Sequence, residues 1–150
     1  MVTYKNDRIM VKFIIMGFVS LSIFMVLSCH EVTVGYLEAD EAVYVPDSLV
    51  VPLEWTEDSY LHWHNEADWV STKIQGVLGT APIRYRITNV KVEGKGDAEI
   101  MKTVCMINGG GIFRIPFVHE IPEGVYIMSI EISNDGYCYT KEDIFKIIVK

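Results

Sequence analysis

The stretch IPEGVYIMSIEIS, Ile121–Ser133, carries the clearest period in the chain. Tyr126, Met128, Ile130 and Ile132 fall on one side, and Ser129, Glu131 and Ser133 on the other. Successive side chains of a strand point to opposite faces, so this spacing predicts a strand with one face in a core and one in water. The same period continues outward in both directions. Towards the C-terminus, IFKIIVK places Phe145, Ile147 and Val149 together. Towards the N-terminus, IFRIPFV sets Phe113, Ile115 and Phe117 against Arg114 and Pro116.

Between these runs lie turn signals. NGGG, Asn108–Gly111, reads as a hairpin turn whose glycines take positive φ; a phosphate cradle would need a helix after it, and a strand follows. EGKGD, Glu93–Asp97, reads as a second turn. The run AEIMKTVCMI between them is expected to be a strand. In IRYRITNVKVE, Ile83, Tyr85 and Ile87 share a face with Arg84 and Arg86 opposite, and then the phase slips to Val90 and Val92. A one-residue slip predicts a β-bulge near Thr88–Asn89. LVVPLEW groups Leu49, Val51, Leu53 and Trp55, and Pro52 makes that strand an edge, because it cannot donate to a ladder. No window shows a sustained helical period. Many short strands with frequent turns predict an all-β sandwich or barrel.

Gly124 and Tyr126 at the start of the Ile121–Ser133 strand resemble the tyrosine corner of immunoglobulin-like domains, in which a Tyr hydroxyl bonds nearby backbone. The position of the immunoglobulin cysteine two residues on is Met128. The resemblance implies a single immunoglobulin-like or cadherin-like β-sandwich without a core disulfide.

The N-terminus sets the address. Phe13–Leu27 is an apolar run of about 15 residues, short of the roughly 20 that span a bilayer as a helix. Lys5, Arg8 and Lys12 precede it with Asp7 as the only acid, the charge pattern of a signal peptide. Val26-Leu27-Ser28-Cys29 follows and resembles the lipobox of bacterial lipoproteins. The expectation is a signal peptide over 1–28, cleaved before Cys29, with Cys29 carrying lipid. Each buried acyl CH₂ adds about 0.8 kcal/mol of membrane affinity. A lipidated N-terminal segment with a first strand then covers 29–47, and the sandwich 48–150.

The net charge is −7, and because residues 1–28 carry +2, the remainder carries −9. No basic cluster exists to bind phosphate backbones, which excludes nucleic acid as a partner. Cys105 and Cys138 are expected to be separate thiols, although an exported compartment permits a disulfide.

Thr56–Gly79 is the least regular segment and reads as loops, where binding residues usually sit. His62-Trp63-His64 has metal-like spacing: in a strand, residues two apart share a face. Without a third ligand at a defined spacing, His62 and His64 are weak candidates for a metal or a small metal-dependent hydrolase. Trp63 and Trp69, flanked by Asn65 and Glu66, are candidates for ligand binding, because exposed aromatic faces stack on sugar rings. No catalytic motif and no cofactor site stands out.

WVSTKIQGVLGTAPIRYRI (Trp69–Ile87), GGGIFRIPFVHEIPEGVYIMSIEISNDGY (Gly109–Tyr137) and CHEVTVGYL after the run resemble small lipoproteins of Bacteroidetes. These are commonly encoded beside outer-membrane uptake systems of the starch-utilisation type. The resemblance implies an outer-membrane lipoprotein facing the surface or the periplasm. Its role would be an accessory protein-contact or ligand-binding part of a nutrient (glycan) uptake complex rather than an enzyme. Only Glu31 is acidic just after Cys29, with His30 before it, so the acidic export stretch common in that phylum is missing. The alternative is a fimbrial or other structural surface subunit that exchanges a strand through an exposed edge.

Overall fold

A computed structural model describes Met16 and residues 35–150. The expected signal peptide, its cleavage point and Cys29 lie outside the described residues. The described chain is mostly β, compatible with an all-β sandwich. Its strands are β1 (Leu37–Glu38), β2 (Ser48–Val51), β3 (Trp69–Val70), β4 (Leu78–Gly79), β5 (Arg84–Glu93), β6 (Met106–Asn108), β7 (Ile112–Ile115), β8 (Gly124–Ser133) and β9 (Cys138–Val149). Two short helices interrupt them, α1 (Tyr60–Asn65) and α2 (Ala98–Val104).

The larger sheet runs β2-β9-β8-β5, with β2 parallel to β9 and the other pairs antiparallel. The smaller runs β3-β7-β6, and β1 pairs with β4. The two main sheets meet through aromatic rings. Phe113 of β7 stacks on Phe145 of β9 at 5.1 Å between centroids, and Tyr44 lies 4.7 Å from Phe145. Tyr44 is itself core, with its hydroxyl donating to the Gly111 carbonyl. Leu37 and Ala39 are buried too, so the chain from Leu37 to Tyr44 contributes to the same core as the later strands.

The period read from β8 holds on its inner face: Tyr126, Met128, Ile130 and Ile132 are all 0% exposed. Phe145, Ile147 and Val149 of β9 join them. The bulge in β5 falls between Ile87 and Asn89, and β2 is an edge strand. NGGG closes the β6–β7 hairpin, with Gly110 at φ 80° and Gly111 at φ 70°. The Tyr126 hydroxyl donates to the Pro122 carbonyl at 2.7 Å and accepts from the Asp97 amide at 3.2 Å. It thereby ties the turn before β8 to the turn after β5. Gly96 makes room for this, since a Cβ there would sit 2.7 Å from the Tyr126 ring.

Four expectations are overturned. AEIMKTVCMI is not one strand. Asp97 accepts from the Glu99 and Ile100 amides and caps α2, satisfying two of the unpaired donors of its first turn. Ala98, Met101 and Cys105 then recur at helical spacing, with Met101 and Cys105 buried. Only Met106–Asn108 is a strand. Secondly, LVVPLEW is a strand only to Val51, with one further bond from the Leu53 amide to the Lys150 carbonyl, and Trp55 is 59% exposed. Thirdly, Ser129, on the face opposite Met128 and Ile130, is buried and not open to water. The β8–β9 register shifts between Met128 and Ile130, and the Ser129 hydroxyl accepts from the Asp143 amide at 3.1 Å. Asp143 has φ 52°, so the hydroxyl serves an amide turned out of the ladder at a bulge. Lastly, His62-Trp63-His64 lies in α1 and not in a strand. Cys105 and Cys138 are free thiols, as expected, with Cys105 buried.

Candidate functional site

The segment Leu53–Gly79 begins with a local unit. Thr56 and Ser59 form a reciprocal capping box: each side chain accepts from the other's backbone amide. That arrangement starts a 3₁₀ turn over Glu57–Ser59 which runs into α1. The helix ends at Glu66, which adopts the left-handed conformation at φ 48°, and the Ala67 amide returns to the His62 carbonyl at 2.9 Å. Glu66 therefore terminates a helix, with its side chain exposed. Asn65 donates to the Leu61 carbonyl at 2.8 Å, inside its own helix.

The helix separates the two histidines, because residues two apart on a helix do not face each other. His62 stacks on the Trp69 ring at 4.1 Å and its Nδ1 donates to the Ala67 carbonyl at 3.3 Å. His64 is exposed and stacks on Tyr60 at 5.4 Å. Among the described residues no three His, Cys, Asp or Glu side chains converge on a point where a metal could bind. The spacing argument for His62 and His64 depended on a strand and does not survive the helix.

The two tryptophans, by contrast, are brought together. Trp69 is buried at 5% exposure, and Trp63 is partly buried with its ring edge-on to Phe117 at 5.1 Å. Both line a cleft of about 240 Å³ with Pro52, Leu53, Phe117, Val118 and His119. Asn65 and Glu66 do not reach it. Trp63 Nε1 is covered and has no acceptor among the described residues. Asp68, next to Trp69 in the chain, does not line the cleft; its carboxylate accepts from the Phe117 amide at 2.9 Å and from Arg114 Nε at 2.6 Å. These two contacts, the amide first, hold the Asp68 carboxyl below its usual value.

The geometry limits the chemistry. Ligand pockets for whole small molecules occupy about 300–1,000 Å³, so this cleft suits one apolar side chain or ring. Among the described residues no carboxylate lines it, and the one titratable group that does, His119, is held towards the neutral form by burial. Cys105 is no nucleophile either, because burial pushes its thiol up to about 12. Sequence reasoning missed Pro52, Leu53 and Val118 as lining residues, since nothing in their local pattern distinguishes a rim from a strand or a turn. Two of its lining side chains are exposed apolar ones, Leu53 at 41% and Val118 at 84%. No helix among the described residues is long and apolar enough to cross a membrane. No family model, no curated protein and no solved structure matches this chain.

Proposed function

We propose that this chain is a lipid-anchored accessory protein of a bacterial cell envelope, in which an immunoglobulin-like sandwich serves as a protein-contact module of an uptake complex. The observation that carries the address is the abrupt end of the Phe13–Leu27 run at Leu27-Ser28-Cys29 behind a basic N-terminus. Lipid on Cys29 would replace a membrane-spanning helix as the anchor. The immunoglobulin-like assignment is supported by the strand order β2-β9-β8-β5 and β3-β7-β6, together with the Tyr126 corner.

Protein contact is favoured over sugar binding by the character of the tryptophan cleft. A sugar platform needs an exposed aromatic face with polar groups beside it to hold hydroxyls. Trp69 is buried, and Asn65 and Glu66 lie away from the cleft. Strand exchange, as in a structural subunit, is disfavoured at β5. That edge strand carries Arg84, Arg86 and Lys91, each paired with an acid at 2.7–2.8 Å, and charged edges resist pairing with another chain.

The test of the address is metabolic labelling with a palmitate analogue. Wild type should incorporate label, and Cys29→Ala should lose it and accumulate at the precursor mass. A wild-type chain that takes up no label would remove the lipoprotein reading.

A further inference from the structure

A second, larger concavity adjoins the tryptophan cleft and shares Val118 and His119 with it. It lies at the open end of the β6–β7 hairpin, where the chain before Met106 leads back into α2 and the chain after Ile115 continues through Pro116 to Glu120. Its volume is about 770 Å³. Ile100 and Val104 of α2 form one bank, Pro116 and Val118 the other, and Met106 lies between them. Met106 is 46% exposed and Val118 is 84% exposed, so this apolar surface is open to solvent.

The charge of the groove is one-sided. Glu99 stands on the α2 bank and Glu120 on the opposite one, and no Lys or Arg lines it among the described residues. Two cations lie close by in sequence or register: Lys102 of α2, which does not line the groove, and Arg114, the cross-strand partner of Met106. The Arg114 guanidinium is already engaged by Asp68. His119 does not offset the carboxylates, since burial favours its neutral form. An apolar trough lined by two carboxylates and no Lys or Arg is complementary to a segment that carries apolar side chains next to Lys or Arg. It repels an acidic segment, and an uncharged lipid or sugar would leave the carboxylates unused.

We infer that the groove between α2 and Pro116–Glu120 docks a peptide segment of a partner protein, with apolar residues on Ile100, Val104, Met106 and Val118 and flanking basic residues facing Glu99 and Glu120. The inference rests on the protein-contact reading above and gives that contact a chemistry. It does not depend on the lipid anchor, so loss of palmitate labelling and loss of peptide binding are separate results.

The experiment uses the full-length chain in detergent and a fluorescein-labelled heptapeptide, Gly-Lys-Val-Leu-Val-Lys-Gly, followed by fluorescence anisotropy against a detergent-only blank. The peptide should bind saturably. Exchanging its lysines for glutamate, or its apolar residues for serine, should abolish binding; both comparisons use the unaltered protein. Glu99→Gln combined with Glu120→Gln should weaken binding about tenfold, as loss of two facing charges does in complementary interfaces. Glu38→Gln combined with Glu41→Gln changes the net charge equally at exposed positions outside the groove and should leave binding unaltered. Absence of saturable binding, equal binding of the glutamate peptide, or equal weakening by the two double variants would each overturn the inference. The last of these would mean only diffuse attraction to an acidic protein.

Discussion

Strand β8 and the segment from Leu53 to Gly79 both carry large apolar side chains, but they use them in opposite ways. On β8 the apolar residues alternate, and every one from Tyr126 to Ile132 on the inner face is fully buried. In the other segment Trp69 is buried, Trp63 is partly covered, and Leu53, Trp55, Tyr60 and Leu61 remain exposed. A strand held on both sides by β5 and β9 has no freedom to choose which residues point inward. A segment built from a capping box, one turn of 3₁₀ helix and a six-residue helix is shaped by local hydrogen bonds first. Only some of its side chains then find a core. The first region supplies stability, and the second supplies surface.

The largest effect should come from breaking the β8 side of this contrast. Ile130→Ala removes a fully buried side chain from the strand's centre and should cost about 2–5 kcal/mol in denaturant unfolding. Glu131→Ala, one residue on and turned outward towards Arg86, should change little by comparison. Equal losses at the two positions would refute the two-faced strand.

Tyr126→Phe should follow, at about 1–3 kcal/mol, because it keeps the ring but leaves the Pro122 carbonyl and the Asp97 amide without their partner. Hydrogen exchange should quicken at Asp97, in the turn after β5. If only the β8 amides respond, the hydroxyl does not link the two turns.

A smaller and pH-dependent effect is expected beside the tryptophan cleft. The Asp68 carboxyl is held below its unfolded value of 3.8, chiefly by the Phe117 amide and then by Arg114. A depressed folded-state value means that its contribution is fully present above the unfolded value and is lost as pH falls through the folded one. Asp68→Asn should therefore lower the melting temperature by a few degrees near neutral pH. The gap to wild type should close on acidification below about pH 4. A gap that stays constant down to pH 2 would show that the charge is not what matters.

The smallest effect on stability belongs to Trp55. At 59% exposure, Trp55→Ser should alter unfolding by no more than about 0.5 kcal/mol. It should, however, remove the part of the fluorescence most readily quenched by acrylamide, leaving the shielded emission of Trp63 and Trp69. A large loss of stability would place Trp55 in the core with β8 and erase the contrast between the regions.

How far the sequence could be read follows from the same physics. Alternation on β5, β7, β8 and β9 was legible, because the two-residue period of a strand and the exclusion of water from one face write themselves into residue order. The bulge after Ile87 was legible as a phase slip, and Gly110 and Gly111 as a turn, because few other residues tolerate positive φ. The helix α2 was not recognised, although Asp97 with Ala98, Met101 and Cys105 carries its cap and its spacing. Seven residues are too few for the helical period to stand out against β-branched Ile100, Thr103 and Val104 and the strand that follows directly. The candidate site was legible only as a list. Trp63 and Trp69 do meet at one cleft, yet Asn65 and Glu66 turn away from it and His62 and His64 diverge, since α1 replaced the expected strand.

By itself, residue order determined the β character, the inward face of the long strands, the place of Tyr126 at a strand start and the expectation of a lipid anchor at Cys29, because each depends on neighbours within a few positions. Tertiary structure alone decided that Ser129 is buried, that Trp55 is exposed, and that Glu99 and Glu120 face one groove across its banks. Those outcomes join residues from different elements. Which element covers a given side chain is settled only when β-bulges, helix ends and sheet packing place distant segments side by side.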